Sequence, residues 1–421
     1  MNKQFVLKFD NIQLTSKDVS LLEKEDNNNL ITSSTINLPL ISLGFHSFIH
    51  RTKSNMIITE KLQTKKIVYM VINPFEIEIP NYDDSLKTLI KSFFNSKEDK
   101  EEFNSPEFYE LWEMLFLFNL SDKKDLVSTI ISDNNDINAY NTSLEFFKNK
   151  LTNNIPQSGG NNNIIENNLS IILEGGAKKK KLKVGGANNK SKDKLDLIIA
   201  TTSQSSITGF LYTEQENYKY IITRLISALE TQENKGSMIL KIDETFTTPS
   251  VKLLYIINYF YETMYIYKPC FSKYTNSNKY LICQGFKNST LEERKNILKS
   301  LQNILDNINK YSNKYVYDIY PDLEVPKEFI NKIKFCNIKL TNQEQIMIND
   351  IISFTKNNNY FGEDYHKYRN NQILSTKWWV EHYLPPSKNI YDKAKEDNSK
   401  ALKQTLDKYN MELSKFTNLL I

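Results

Sequence analysis

Glycine is scarce in this chain, at 11 of 421 residues, and most of it sits as the pairs Gly159–Gly160, Gly175–Gly176 and Gly185–Gly186. None of these pairs opens a recognisable helix, so a Walker-type phosphate loop is excluded and each pair reads as linker. Cysteine is scarcer: Cys270, Cys283 and Cys336 form no Cys-x-x-Cys pair, which argues against a disulfide framework and fits a reducing compartment. The histidines, His46, His50, His366 and His382, have no zinc-ligand spacing with those cysteines, so no metal is expected. No apolar run approaches the ~20 residues that span a bilayer, and the opening MNKQFVLKFDN lacks a signal-peptide core. One-sided charge is missing too: Lys+Arg 54 against Asp+Glu 50 gives +4, too mild to require a nucleic acid. Ser250 has no nucleophile-elbow pattern around it. These absences leave a soluble, cytoplasmic protein with no membrane partner, and its 40% hydrophobic content is enough for a sizeable core.

What is present reads as alternating elements. Residues 1–80 read as short strands and turns, including an alternating segment from Lys65 to Pro80 that Pro74 interrupts. FYELWEMLFLF (Phe108 to Phe118) is apolar on most faces and predicts a buried helix. Leu126 to Asp133 predicts a strand and Tyr140 to Leu151 a helix, a parallel-sheet unit. Residues 156–194 form a Gly-, Asn- and Lys-rich insertion containing the short apolar run LSIILE (Leu169 to Glu174). Strands follow at Leu195 to Thr201, Ser237 to Asp243, Met264 to Lys268 and Lys279 to Phe286, with helices between the first three. The fold class expected is therefore α/β: a doubly wound, mostly parallel sheet with an antiparallel edge hairpin. It spans residues 105–290, after an N-terminal α+β extension over 1–104 and before a helical C-terminal region over 291–421.

The stretch from Lys241 to Phe286 carries Lys268, Pro269, Ser272, Asn276, Ser277, Tyr280, Cys283 and Gly285 in a fixed order. That order resembles the FtsJ-type RNA 2′-O-methyltransferases, especially the mRNA cap branch found in large cytoplasmic DNA viruses and eukaryotes. DLIIAT (Asp196 to Thr201), TEQE (Thr213 to Glu216) and SPEFYELWEM (Ser105 to Met114) resemble further segments of that family, as do LGFHSFIHRTK and HYLPPSKNIY. The resemblance implies a Rossmann-like methyltransferase sheet and a Lys-Asp-Lys-Glu tetrad, in which one lysine is the base for a ribose hydroxyl. Carried over residue by residue, the tetrad falls on Glu110, Thr201, Lys241 and Asn278, so Lys241 alone survives. A carboxylate at Glu110 favours protonated Lys241, an ion pair rather than a base.

The family's cofactor, S-adenosylmethionine, needs glycine after the first strand, where backbone and ligand approach closely. Here that turn reads Asp133, Asn134, Asn135 and Asp136, without glycine, so no cofactor is expected. The run Lys178, Lys179, Lys180, Lys181 and Lys183 reads as an RNA contact or nuclear-targeting signal, or as a charged loop that keeps the insertion soluble. Trp378–Trp379 reads as a packing anchor before stacking on a base. Two functions stay open. One is an inactive homologue that serves the capping or transcription machinery as a protein partner, in host cytoplasm or virion, with RNA as a second ligand. The other is an active S-adenosylmethionine-dependent RNA 2′-O-methyltransferase.

Overall fold

The structure is a computed structural model, and it describes residues 4–56, 72–75, 91–94, 101–120, 126–132, 136–152, 194–201, 212–287, 291–357, 361–384 and 388–418. The strands are β1 (Phe5–Asp10), β2 (Leu30–Ser33), β3 (Ser128–Ile131), β4 (Leu195–Ala200), β5 (Gln232–Ile242), β6 (Tyr261–Lys268), β7 (Lys279–Phe286) and β8 (Tyr315–Ile319). The longer helices are α1 (Ser16–Glu23), α2 (Leu43–Asn55), α3 (Pro106–Phe118), α4 (Ile137–Thr152) and α5 (Thr213–Thr231). They continue with α6 (Thr248–Tyr259), α7 (Leu291–Lys310), α8 (Lys327–Asn357), α9 (Glu363–Tyr383) and α10 (Lys388–Asn418).

One six-stranded sheet runs in the order β1-β6-β7-β5-β4-β3. Strands β3, β4, β5 and β6 point one way, and β7 and β1 run against them. The α/β class and Rossmann-like arrangement expected from the sequence are both present. The edge differs. β6 and β7 pair as the expected antiparallel couple, but β7 lies between β6 and β5, and β1 covers β6 from Phe5↔Lys268 to Asp10↔Thr263. Sequence periodicity identifies strands but not their neighbours, so the N-terminal strand's place in this sheet was not foreseen. β2 and β8 form a separate two-stranded ribbon.

Side chains alternate across each strand and build two cores. Leu197, Ile199, Ile239, Tyr267, Tyr280 and Ile282 face α3, α4 and α9. Ile198, Ala200, Met238, Leu240, Leu281 and Cys283 face α5, α6 and α7. As the sequence predicts, α3 is buried on all sides from Phe108 to Phe118, and it takes two carboxyl groups, Glu110 and Glu113, inside with it. Glu113 accepts hydrogen bonds from Gln4 Nε2 (3.2 Å), the Cys270 amide (3.1 Å), Trp379 Nε1 (2.7 Å) and the Tyr267 hydroxyl. Trp379 is fully buried, the packing role its sequence context suggests.

The N-terminal 80 residues hold more helix than their apolar pattern reveals. Thr15 and Asp18 form a capping box at 3.1 Å each way that starts α1. The buried residues of α2 are His46, Ile49, His50, Thr52 and Lys53, mostly polar, so hydrophobic periodicity could not report the helix. Of the alternating segment from Lys65 to Pro80 only residues 72–75 are described, and they are not in a strand; Leu169 to Glu174 and nearly all of the insertion around them lie outside the described residues.

Gly285, the glycine of the motif, has φ +72°, and a Cβ there would stand 2.5 Å from Glu262 Oε2. Gly285→Ala is expected to cost roughly 1–2 kcal/mol through the left-handed backbone alone. Urea unfolding of the two proteins measures the difference, and equal midpoints would contradict it.

Candidate functional site

Three strands deliver charge to one edge of the sheet. Lys241 is the penultimate residue of β5 and pairs in register with Tyr280, which pairs with Tyr267 on β6. Cross-strand partners share a face, so Lys241 and Tyr280 both point toward α3 and α4. The Tyr280 hydroxyl donates to Glu110 Oε2 on α3 and lies 3.2 Å from the hydroxyl of Tyr140 on α4. Glu110, Tyr140, Tyr280 and Lys241 are all buried. Burial lifts the Glu110 pKa to about 7, against the pull of the Lys241 charge and of the Tyr280 hydrogen bond. Two positions of the expected tetrad, Glu110 and Lys241, therefore meet. No hydrogen bond to Lys241 Nζ forms among the described residues.

The other two positions bring no charge. Thr201 follows the Ala200–Leu240 pair at the end of β4, at the level of Lys241. Its amide donates to Ile131 O at 2.9 Å, while its buried hydroxyl has no partner among the described residues. Asn278 precedes β7, and its carbonyl accepts from Lys268 Nζ at 2.7 Å.

The turn residues Asp133, Asn134 and Asn135 lie outside the described residues. Asp136 is described, and its carbonyl accepts the Tyr140 amide at 3.2 Å as α4 begins. Just before the turn, the Ser132 hydroxyl is buried and without a partner among the described residues, like that of Thr201 on the neighbouring parallel strand. Lys178, Lys179, Lys180, Lys181 and Lys183 also lie outside the described residues.

A second layer was missed by sequence reasoning. Past β5, Asp243 accepts from Asn217 Nδ2 at 3.1 Å and, through its carbonyl, from Lys279 Nζ. Glu244 meets Lys53 of α2 at 2.6 Å, and Lys53 reaches Glu344 of α8 at 3.1 Å. Lys268 Nζ donates to Asn276 O at 2.9 Å as well as to Asn278 O. Together, Lys53, Lys241, Lys268 and Lys279 stand against Glu110, Asp243, Glu244 and Glu344, every one buried. Burial opposes the Lys53 charge, but Glu244 and Glu344 outweigh it and hold its pKa above the ordinary lysine range. Burial of Lys268 and Lys279 dominates instead and lowers both. Only the flanking motif residues Lys268, Asn276 and Ser277 signalled this layer, because its carboxylates come from segments distant in sequence.

The loop is fixed from behind by Glu214, in the TEQE segment. Its Oε1 accepts from the Thr247 amide (2.9 Å), the Thr247 hydroxyl (2.7 Å) and the Ser250 hydroxyl at the start of α6. Ser250 is thus a buried structural hydroxyl.

No protein-family model matches the chain. It is 28% identical over 180 residues to the cap-specific mRNA (nucleoside-2′-O-)-methyltransferase 1 of Caenorhabditis elegans, covering 41% of this chain and 19% of that protein. It is 27% identical over 181 residues to a Caenorhabditis briggsae protein named inactive cap-specific mRNA (nucleoside-2′-O-)-methyltransferase 1B, covering 41% and 21%. An uncharacterized protein of Acanthamoeba polyphaga mimivirus matches at 24% over 285 residues, covering 67% of each chain. The chain spans about a fifth of the length of the first curated relatives it matches, 19% and 20%. Its similarity is to cap-specific 2′-O-methyltransferases, at the divergence these identities express.

Proposed function

We propose that this divergent relative of the cap 2′-O-methyltransferases transfers no methyl group itself and serves as a non-catalytic partner in mRNA capping or RNA processing. The observation that carries the reading is the carboxyl of Glu110 beside Lys241, where the related enzymes' pattern has a lysine. A base lysine must shed its proton near neutrality, and an adjacent carboxylate favours keeping it. Thr201 and Asn278 add no charge that would tune it.

In this reading the chain holds no S-adenosylmethionine, because the sequence of its cofactor turn departs from what that ligand needs. At the carboxyl ends of β3 and β4, where such a sheet holds its ligand, the described residues present hydroxyls, Ser132 and Thr201. Residues 132–140 contain no glycine, and Tyr140 is fully buried against Tyr280 on the side facing Lys241. One observation favours the other reading, an active RNA methyltransferase: those two buried hydroxyls lack partners among the described residues and would bond a polar ligand atom. In the non-catalytic reading, Lys178–Lys181 and Lys183 supply a salt-sensitive contact to RNA.

The expected result is that the purified chain moves no labelled methyl from S-adenosylmethionine to capped RNA beyond the level of Lys241→Ala. Calorimetric titration with the cofactor should be silent. Transfer that Lys241→Ala abolishes would overturn the proposal. For the partner half, co-elution with a capping or transcription subunit on size exclusion is expected, and a lone peak with every candidate counts against it.

A further inference from the structure

We infer that His46, His50 and Glu244 form a binding site for a divalent transition-metal ion of the zinc class. His46 and His50 are four residues apart on α2, the spacing that sets two imidazoles on one helical face. Their Nε2 atoms are 3.0 Å apart, and His50 Nε2 is 3.6 Å from Glu244 Oε2. The three ligand atoms lie within 4.8 Å of one another, and all three residues are buried. An ion with donors at about 2.0–2.1 Å in tetrahedral array sets them roughly 3.3 Å apart, between the two separations found.

The chemistry of the three groups agrees. Neutral imidazole is the ligating form, and each ring has a nitrogen in the cluster to offer an ion. Two neutral rings bring one N–H each, and a single hydrogen bond between the Nε2 atoms leaves Glu244 Oε2 facing a ring nitrogen beyond bonding distance. A cation satisfies all three at once. The carboxylate is already held as a ligating carboxylate is: its other oxygen takes Lys53 Nζ at 2.6 Å, and Lys53 is steadied by Glu344 at 3.1 Å. Three protein ligands leave a fourth position for water or another oxygen donor. The ion would staple α2, from the N-terminal region, to the loop leaving β5 beside Lys241.

The test uses the full chain and Zn²⁺ alone. After chelator treatment and dialysis against Zn²⁺, one equivalent should be retained and the melting temperature should rise. His50→Gln and Glu244→Gln should each lose both effects. Co²⁺ in place of Zn²⁺ should give the intense visible bands of a tetrahedral nitrogen–oxygen site, a readout needing no variant. Retention by folded His50→Gln equal to that of the parent overturns the site, as do weak, solvent-like Co²⁺ bands.

Discussion

Glu113→Ala is expected to destabilise the protein by about 3–5 kcal/mol, the largest effect of any single change considered for this fold. The carboxyl group collects donors from four distant places: Gln4 before β1, Tyr267 in β6, the Cys270 amide after it, and Trp379 in α9. Burial raises its pKa, while those same donors hold it down. Truncation strands all of them where water does not reach, and each stranded buried donor costs about 1–3 kcal/mol before relaxation. Glu113→Gln keeps the shape but turns an NH₂ toward donors, so it should fall between alanine and the parent. Urea denaturation measures all three. An alanine variant within about 1 kcal/mol of the parent would mean that the network is ornamental to stability.

The second large effect is a pH dependence carried by Glu110. Its folded pKa is about 7 against an ordinary 4.5, with burial the main cause. The folded carboxyl therefore holds its proton to higher pH than the unfolded one, and folding takes up a proton between those values. Stability contributed by the neutral form is complete below about pH 4.5, declines as pH rises toward 7, and stays lost above it. A shift of this size corresponds to roughly 3 kcal/mol, to an order of magnitude. Glu110→Gln, which cannot ionise, should flatten that part of the profile and be the more stable protein at pH 8. Parallel stability–pH curves for parent and variant would show that burial does not govern this group. The same measurement bears on Lys241: an ionised Glu110 is a counter-ion, whereas a protonated one is a neutral neighbour.

Much of the sheet was legible because its strands are short apolar runs bounded by polar turns, and β7 falls where the pattern puts it, from Lys279 to Phe286. The place of Lys241 and Glu110 in one site was legible through motif order, since register carries Tyr280 to Glu110 and Lys241 together. Two things were not. The polar buried face of α2 gives no apolar period, so neither the helix nor its histidine pair stood out. The acid partners of the buried lysines, Glu244 and Glu344, are a hundred residues apart in sequence, and charge composition alone cannot join them. The Asp133–Asn135 turn and the lysine run fall outside the described residues, and their reading rests on sequence.

Strand β1 pairs with β6 from Phe5↔Lys268 onward, and α10 packs over it, with Phe5 and Tyr409 rings 4.8 Å apart. On the ribosome, β1 therefore emerges long before its hydrogen-bonding neighbour exists, and longer still before its covering helix. Until then it is an apolar segment with open backbone groups, the kind that invites association with other chains. Closing a loop of that length is slow, so folding of the sheet should be largely post-translational and sensitive to trimming of α10.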